Sequence, residues 1–177
     1  MRRAYDGVAR LRLANSGGTR GWLEFGAQLL PCAIGRGGLR HRKREGDGGT
    51  PAGLLALREV FYRPDRVRQP LTPHRTSALR PDDGWCDAAG DRNYNRPVPW
   101  PYTASAEAMW REDGLYDIVG ILNYNIAPRG RGRGSAIFLH VARPDWAPTE
   151  GCIALRMADL LRLLEGALPL RAIDTRV

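Results

Sequence analysis

One histidine and one cysteine could form a nucleophile and its base. The segment HVARPDWAPTEGC runs from His140 to Cys152 and holds one of three histidines and one of three cysteines in the 177-residue chain. A thiol must lose its proton to attack a carbonyl, and a nearby imidazole can accept that proton. Gly151 lets neighbouring backbone N–H groups point at a substrate oxygen as an oxyanion hole. From these residues alone, a catalytic pair and a buried thiol beside a core histidine both stay open.

The other cysteines and histidines carry weaker signals. Cys32 lies in the apolar run LLPCAIG and is predicted to be a core residue, whereas Cys86 in GWCD suits packing or the wall of a substrate site. His41 and His74 lie in polar loops and are predicted to be surface residues. The sequence has no CxxC pair, no HExxH and no phosphate-binding loop, so we expect no metal and no cofactor.

The charge of the chain favours an anionic partner. The net charge is +8 and Lys43 is the only lysine, so nearly all the positive charge is arginine. Arginine pairs with carboxylates and phosphates, which leaves nucleic acid, a membrane surface and a carboxylate-rich substrate as options. The run RGRGRGS over 129–135 resembles RNA-binding segments, but its place between two predicted strands favours a basic hairpin loop.

Length and composition predict a single, mainly β domain over residues 1–177, with a few short helices. The 21 glycines and 13 prolines favour many turns between short strands. The start of the chain has no apolar core of the kind a signal peptide needs, and no stretch approaches the roughly 20 apolar residues of a membrane span. Hydrophobic patterning predicts strands over 8–14, 21–26, 28–35, 54–63, 115–125, 134–142, 153–155 and 171–177, a long loop over 35–53, a turn-rich region over 64–101, and helices over 105–113 and 157–166.

Several motifs together resemble a known family. GSAIFLHVA followed by PTEGCIAL is similar to the active-site signature of the L,D-transpeptidase catalytic domain, and the glycine-rich KREGDGGTPAG resembles that family's upstream segment. GWCD, NYNRPV, LYD and YN look like a short, single-domain branch of it. The resemblance runs from about Leu29 to Leu164, and it implies a β-sandwich or barrel fold.

The resemblance also implies roles for residues of the signature. Cys152 is expected to be the nucleophile and His140 the base, with the N–H groups of Gly151 and Cys152 as oxyanion donors and Thr149 in the Ser/Thr position before them. Two positions depart from the best-known motif. Glu150 occupies the position at which that motif has a second histidine. Ala154 occupies the position at which it has an arginine. Both departures affect expected substrate contacts, and the sequence leaves open whether Arg156 substitutes for the missing arginine.

The segment from Trp85 to Asn95 is a second site hypothesis. The loop between His140 and Cys152 is short, so the rim of the pocket is expected to come from elsewhere. Trp85 and Tyr94 are predicted to pack on a peptide stem, while Asp87 and Asn95 are predicted to bind its polar or cationic groups. A structural cap over the core explains the same residues about as well.

The resulting expectation is a cysteine acyltransferase that cross-links peptidoglycan stem peptides in a 3,3 or 1,3 arrangement. An L,D-carboxypeptidase or other peptidoglycan hydrolase would use the same site. A basic β-domain that binds nucleic acid is the alternative from a different class. The family resemblance further implies inhibition by carbapenems, a monomer, and a periplasmic or cell-envelope location, although the missing signal peptide leaves a cytoplasmic location open.

Overall fold

The described part of the chain is built almost entirely of short strands. A computed structural model describes residues 7–15 and 17–176. These residues form fourteen strands and one helix: β1 (Val8–Leu13), β2 (Arg20–Phe25), β3 (Gln28–Ala33), β4 (Leu39–Arg40), β5 (Thr50–Pro51), β6 (Leu54–Tyr62), β7 (Arg75–Ala78), β8 (Asp83–Cys86), β9 (Arg96–Pro99), β10 (Ala106–Ala108), β11 (Ile118–Leu122), β12 (Phe138–Val141), β13 (Ile153–Leu155), α1 (Met157–Glu165) and β14 (Ala172–Asp174).

Nine strands form one sheet that curls back on itself. Its order is β11-β12-β13-β3-β2-β1-β14-β6-β7, and β6 also pairs with β11. The long strand β6 therefore joins both ends of an eight-stranded ring, and β7 pairs with β6 outside it. Closure removes unpaired strand edges, which would otherwise expose backbone hydrogen-bonding groups. The predicted mainly β sandwich or barrel is confirmed.

Two hydrophobic clusters lie on opposite faces of β11 and β12. All five residues of β11 are buried, as expected for a strand that is covered on both faces. Because successive side chains of a strand alternate between faces, Ile118 and Leu122 enter the larger cluster, and Val119 and Ile121 enter the smaller one. We call the smaller cluster the second core; it consists of Leu79, Trp85, Met109, Tyr116, Val119, Ile121, Phe138 and Cys152.

Helix α1 covers the larger cluster. Its apolar side chains recur at helical spacing, and Leu160, Leu163 and Leu164 are buried against the strands. The helix ends before Gly166, close to the predicted boundary. No helix in the described ranges has both the length and the apolar character needed to cross a bilayer.

A second, three-stranded sheet corrects one prediction. Residues 105–113 were expected to be a helix, but they contain strand β10, which pairs antiparallel with β8. Strand β8 also pairs with β9, and the small sheet covers the second core through Trp85 and Met109. The backbone pairing and this burial outweigh the local helix signal, which rested on Ser105 as an N-cap and on Glu107 in the first turn. The turn-rich region also contains three strands, β7 to β9, that the sequence did not predict.

The larger cluster is expected to dominate stability. Leu155 is fully buried, whereas Leu71 is 74% exposed. We predict that Leu155→Ala lowers the free energy of unfolding by about 2–5 kcal/mol, because a cavity remains in the core. Leu71→Ala, the matched control, is expected to change it by no more than about 0.5 kcal/mol. Urea denaturation measures both, and equal effects would contradict the assignment of the core.

Candidate active site

The register of β12 and β13 brings His140 and Cys152 to one face. The two strands are parallel, with Leu139 opposite Ile153 and His140 opposite Ala154. Leu139 and Ile153 point into the larger cluster. Successive side chains of a strand point to opposite faces. His140 follows Leu139 and Cys152 precedes Ile153, so both point to the face opposite the larger cluster. Cys152 accordingly belongs to the second core.

Both side chains line a single cavity of about 580 Å³. One side of it comes from the glycine-rich segment and the residues before β12, another from β10 and the residues that follow it, and a third from the loop between His140 and Cys152. The cavity is lined by Lys43, Glu45, Gly46, Asp87, Ala106, Glu107, Ala108, Arg111, Leu115, Tyr116, Ser135, Ala136, His140, Arg143, Ala147, Pro148, Thr149, Glu150, Cys152 and Ala154.

His140 is held in the tautomer that a base requires. Its Nδ1 lies 2.8 Å from the Val141 carbonyl oxygen, and a carbonyl can only accept, so Nδ1 carries the proton and Nε2 keeps a free lone pair. The ring is 5% exposed and packs edge-on against Tyr116, with ring centres 5.4 Å apart. Burial lowers the pKa of His140 to about 4, so the imidazole is neutral over the physiological range.

Cys152 is a neutral thiol with hydrogen bonds to backbone groups. Its Sγ donates to the Ala136 carbonyl at 3.2 Å and accepts from the Phe138 N–H at 3.3 Å. Burial, with a smaller effect of the nearby Glu107 carboxylate, raises the pKa of Cys152 to about 12. The thiol and the imidazole of His140 share no hydrogen bond in the described structure. The thiol must therefore turn from Ala136 before its proton can reach Nε2.

The turn before Cys152 depends on glycine. Gly151 has φ +130°, and a Cβ there would lie 2.7 Å from the Gly49 carbonyl oxygen. The Thr149 hydroxyl accepts the Gly151 N–H at 3.2 Å and donates to the Cys152 carbonyl at 2.7 Å. Thr149 thus shapes the turn, and the Gly151 N–H expected in the oxyanion hole is bonded to it in this conformation.

The glycine-rich segment packs directly on this turn. The Thr50 hydroxyl is fully buried, accepts the Gly35 N–H at 2.8 Å and donates to the Gly151 carbonyl at 2.9 Å. A Cβ at Gly35 would lie 2.9 Å from the Gly151 Cα. The same Cβ would lie 2.2 Å from the Gly48 carbonyl oxygen, so Gly35 lets the glycine-rich segment and the turn before Cys152 approach each other. The two hydrogen bonds make Thr50 a positioning residue for the nucleophile turn.

Trp85 and Asn95 support the cavity from behind. Trp85 is 3% exposed and Asn95 is 2% exposed, and neither lines the cavity. The Asn95 Oδ1 accepts the Trp85 indole N–H at 2.9 Å and the Ala136 N–H at 3.0 Å. Ala136 is thereby held beside the thiol. These bonds give Trp85 and Asn95 a supporting role beside the cavity, while their contact with a stem peptide stays a prediction.

Tyr94 is likewise internal. It is 1% exposed, and its hydroxyl donates to Glu45 and accepts the Gly134 N–H at 3.0 Å. Glu45 also accepts the Ser135 hydroxyl at 2.8 Å. Tyr94 therefore ties the glycine-rich segment to the RGRGRGS loop over 129–135, while its packing on a peptide stem stays a prediction.

The remaining predicted residues are divided between the cavity and the outer surface. Asp87 lines the cavity, as does Glu150, whose carboxylate pairs with Arg36 at 2.9 Å and is 75% exposed at the rim. Arg156 is exposed, does not line the cavity, and lies over the Trp146 ring at 5.3 Å. The best-known motif has an arginine at the position of Ala154. Because Arg156 does not line the cavity, it does not supply a guanidinium group there in this structure.

Sequence reasoning missed Glu107, Tyr116 and Arg111. The Tyr116 hydroxyl donates to Glu107 Oε1 at 2.5 Å, and Arg111 lies 3.6 Å from the same carboxylate. Burial raises the pKa of Glu107 and the pKa of Tyr116. The LYD motif marked Tyr116 without giving it a role, and Glu107 was hidden inside the mispredicted helix. In the described ranges, no group of three or more His, Cys, Asp or Glu residues is placed to hold a metal ion.

Gly151→Ala is expected to distort the nucleophile turn. We predict a loss of about 2–4 kcal/mol in unfolding free energy, from the left-handed backbone and the contact with Gly49, together with slower alkylation of Cys152. Gly26 is a matched control, since it also has a positive φ (+62°) but open space around its Cβ position. Gly26→Ala should cost only about 1 kcal/mol. Equal losses would show that the Gly49 contact is unimportant.

Comparison with known families agrees with this geometry. The family model of the L,D-transpeptidase catalytic domain, YkuD, matches residues 10–169, which is nearly the whole chain. Comparisons with curated proteins and with solved structures gave no significant match. The match covers the barrel apart from β14 and the start of β1, and it includes the glycine-rich segment, His140 and Cys152; the chain therefore belongs to the L,D-transpeptidase catalytic domain family.

Proposed function

We propose that this protein cross-links peptidoglycan stem peptides by L,D-transpeptidation, with Cys152 as nucleophile and His140 as base. The observation that carries the proposal is the placement of both side chains on one face of β12 and β13, at the same cavity. Membership of the family supports peptidoglycan as the substrate and the cell envelope as the location. The Nδ1–H to Val141 bond supports Nε2 as the acceptor of the thiol proton.

The first half-reaction forms a thioester. The Cys152 sulfur attacks the carbonyl of an L-configured centre in the donor stem while its proton passes to His140 Nε2. Collapse of the tetrahedral intermediate breaks the peptide bond, and the imidazolium returns the proton to the departing amine of the D-residue. Because both groups are neutral at rest, proton transfer must accompany attack. A preformed thiolate and imidazolium are disfavoured by burial.

The second half-reaction resolves the thioester with an amine of a neighbouring stem. The amine nitrogen bonds to the carbonyl carbon, the C–S bond breaks, and the sulfur regains a proton. Water in place of the amine would give the carboxypeptidase reaction from the same intermediate. The product therefore depends on how well the cavity holds an amine relative to water.

The two departures from the motif change the surroundings of the pair. Ala154 lies opposite His140 and lines the cavity with a small side chain, so the space that an arginine would fill is free for substrate. Glu150 lies at the rim with Arg36 as its partner. We propose that these two positions alter which part of the stem peptide is bound. They would thereby influence whether a 3,3 or a 1,3 cross-link is formed.

Cys152→Ala tests the nucleophile. We expect it to abolish cross-linked muropeptides and the covalent carbapenem adduct, because no other thiol lines the described cavity. Cys86→Ala is the control, since Cys86 is fully buried in β8 and does not line the cavity. Mass spectrometry of the protein and of incubated muropeptides gives both readouts, and an adduct that persists in Cys152→Ala would refute the assignment.

The pH profile tests the neutral pair. The pKa of His140 is lowered from its usual value near 6.5 to about 4, so the base stays unprotonated well below pH 6.5. We expect the rate of carbapenem acylation to be nearly constant from about pH 8 to 5 and to halve near pH 4, with circular dichroism confirming that the fold persists. An acid limb with its midpoint near 6.5 would contradict a buried, neutral imidazole.

A further inference from the structure

One cationic residue at the cavity has hydrogen-bond donors that are not in use. Of the described residues, Lys43, Arg111 and Arg143 are the cations that line the cavity. The Lys43 ammonium donates to Asp47 at 2.6 Å. The Arg111 guanidinium donates to Asp113 at 3.0 and 2.5 Å. Arg143 lies 3.8 Å from Asp113, too far for a hydrogen bond, and its side chain is 50% exposed, so its guanidinium is open to a ligand.

The backbone after β12 places Arg143 beside His140. Ala142 follows β12 directly, and its N–H donates to the Leu155 carbonyl at 2.6 Å. The Arg143 carbonyl accepts the Trp146 N–H at 3.0 Å, which closes a turn at the start of the loop. Burial lowers the pKa of His140, and the positive charge of Arg143 has a smaller effect in the same direction. The guanidinium therefore lies near enough to the imidazole to act on it.

The part of the cavity beside His140 has room for a substrate group. Ala154 lies opposite His140 in the register of β12 and β13, and it lines the cavity with a methyl group. A methyl group fills little of the cavity, so the space beside the imidazole is open to substrate. An anion bound in that space would meet the Arg143 guanidinium, because the Arg111 guanidinium is already held by Asp113.

The proposed reaction brings a carboxylate to this space. His140 returns its proton to the departing amine, so the D-residue that leaves lies next to the imidazole. A D-residue at the end of a stem peptide carries a free carboxylate on the carbon that bears this amine. Such a carboxylate can accept two parallel N–H···O bonds from a guanidinium, which fixes its orientation. The position of Arg143 relative to His140 therefore fits the leaving side of the donor.

We propose that Arg143 binds the carboxylate of the D-residue that the first half-reaction expels, and that this contact selects donor stems in which that carboxylate is free. The inference rests on the proposed function and names a specificity-determining residue for it. Binding of the carboxylate holds the departing amine near His140 Nε2 and turns the scissile carbonyl towards Cys152. A carboxamide has one acceptor oxygen and no charge, so it forms a weaker contact with the guanidinium.

A comparison of two donors tests the subsite in the full chain. The donors are stem peptides that differ only at the D-residue after the scissile bond, which carries a free carboxylate in one and a carboxamide in the other. Mass spectrometry follows release of the fragment that begins with this D-residue. We expect the wild type to prefer the free acid by about 10- to 100-fold in kcat/KM, because the carboxamide loses hydrogen bonds to a charged group. Arg143→Gln is expected to reduce this preference to about twofold or less.

Controls separate recognition from a loss of charge or of fold. Arg58→Gln removes the same charge from an exposed position of β6, outside the cavity lining, and should leave the preference unchanged. Arg143→Lys keeps the charge but loses the planar fork, so it should restore part of the preference. Iodoacetamide has no carboxylate, and it should alkylate Cys152 equally fast in the wild type and in Arg143→Gln.

The outcomes distinguish the two proposals. A wild type that cleaves both donors equally well, or an Arg143→Gln variant that keeps the preference, would overturn the carboxylate subsite and leave the Cys152 thioester in place. Equal slowing of both donors in Arg143→Gln, together with slower alkylation, would assign Arg143 a structural role and also overturn the subsite. A wild type that cleaves neither donor would overturn the proposed function itself.

Discussion

The parallel pairing of β12 and β13 is the constraint on which the site depends. One register places Leu139 and Ile153 in the larger cluster and their neighbours at the cavity, and a slip by one residue would exchange the two faces. The larger cluster therefore fixes the site: as long as Leu139 and Ile153 stay buried, His140 and Cys152 must face the cavity. Parallel strands need a crossover connection, and residues 142–152 provide it while also forming part of the rim.

A second layer of interactions holds the backbone around the thiol. Ala136 has φ +52°, an arrangement that costs a residue with a Cβ about 1–2 kcal/mol. Asn95 offsets this by accepting the Ala136 N–H and by donating to the carbonyls of Tyr124 and Asn125 at 3.2 and 2.9 Å. The Ala136 carbonyl is then available to the Cys152 thiol. The backbone strain is local to the nucleophile, and a buried amide with its polar atoms fully bonded maintains it.

The sequence predicted the elements that have strong local patterns. It did not predict elements whose structure is decided by contacts with distant parts of the chain. The apolar strands, helix α1 and the barrel-like fold followed from periodicity and from the resemblance, and the turn before Cys152 was marked by Gly151. Residues 105–113 became a strand because β8 offered a pairing partner, which no local signal contains. Trp85 and Asn95 carried the composition of an exposed recognition loop, yet the three-stranded sheet buries them; only Asp87 of that segment reaches the cavity.

The distribution of charge discriminates between the partners that the composition left open. Arg42, Arg44, Arg131 and Arg133 are exposed and form no ion pair in the described structure. The two loops that carry them meet through the Glu45 N–H and the Gly132 carbonyl, next to the cavity. A nucleic acid would match this basic rim but not the acidic side chains that line the cavity, because its backbone offers only anionic groups. Membership of the L,D-transpeptidase family supports peptidoglycan instead, because its stem peptides carry carboxylates for the basic rim and amines for the acidic side chains of the lining.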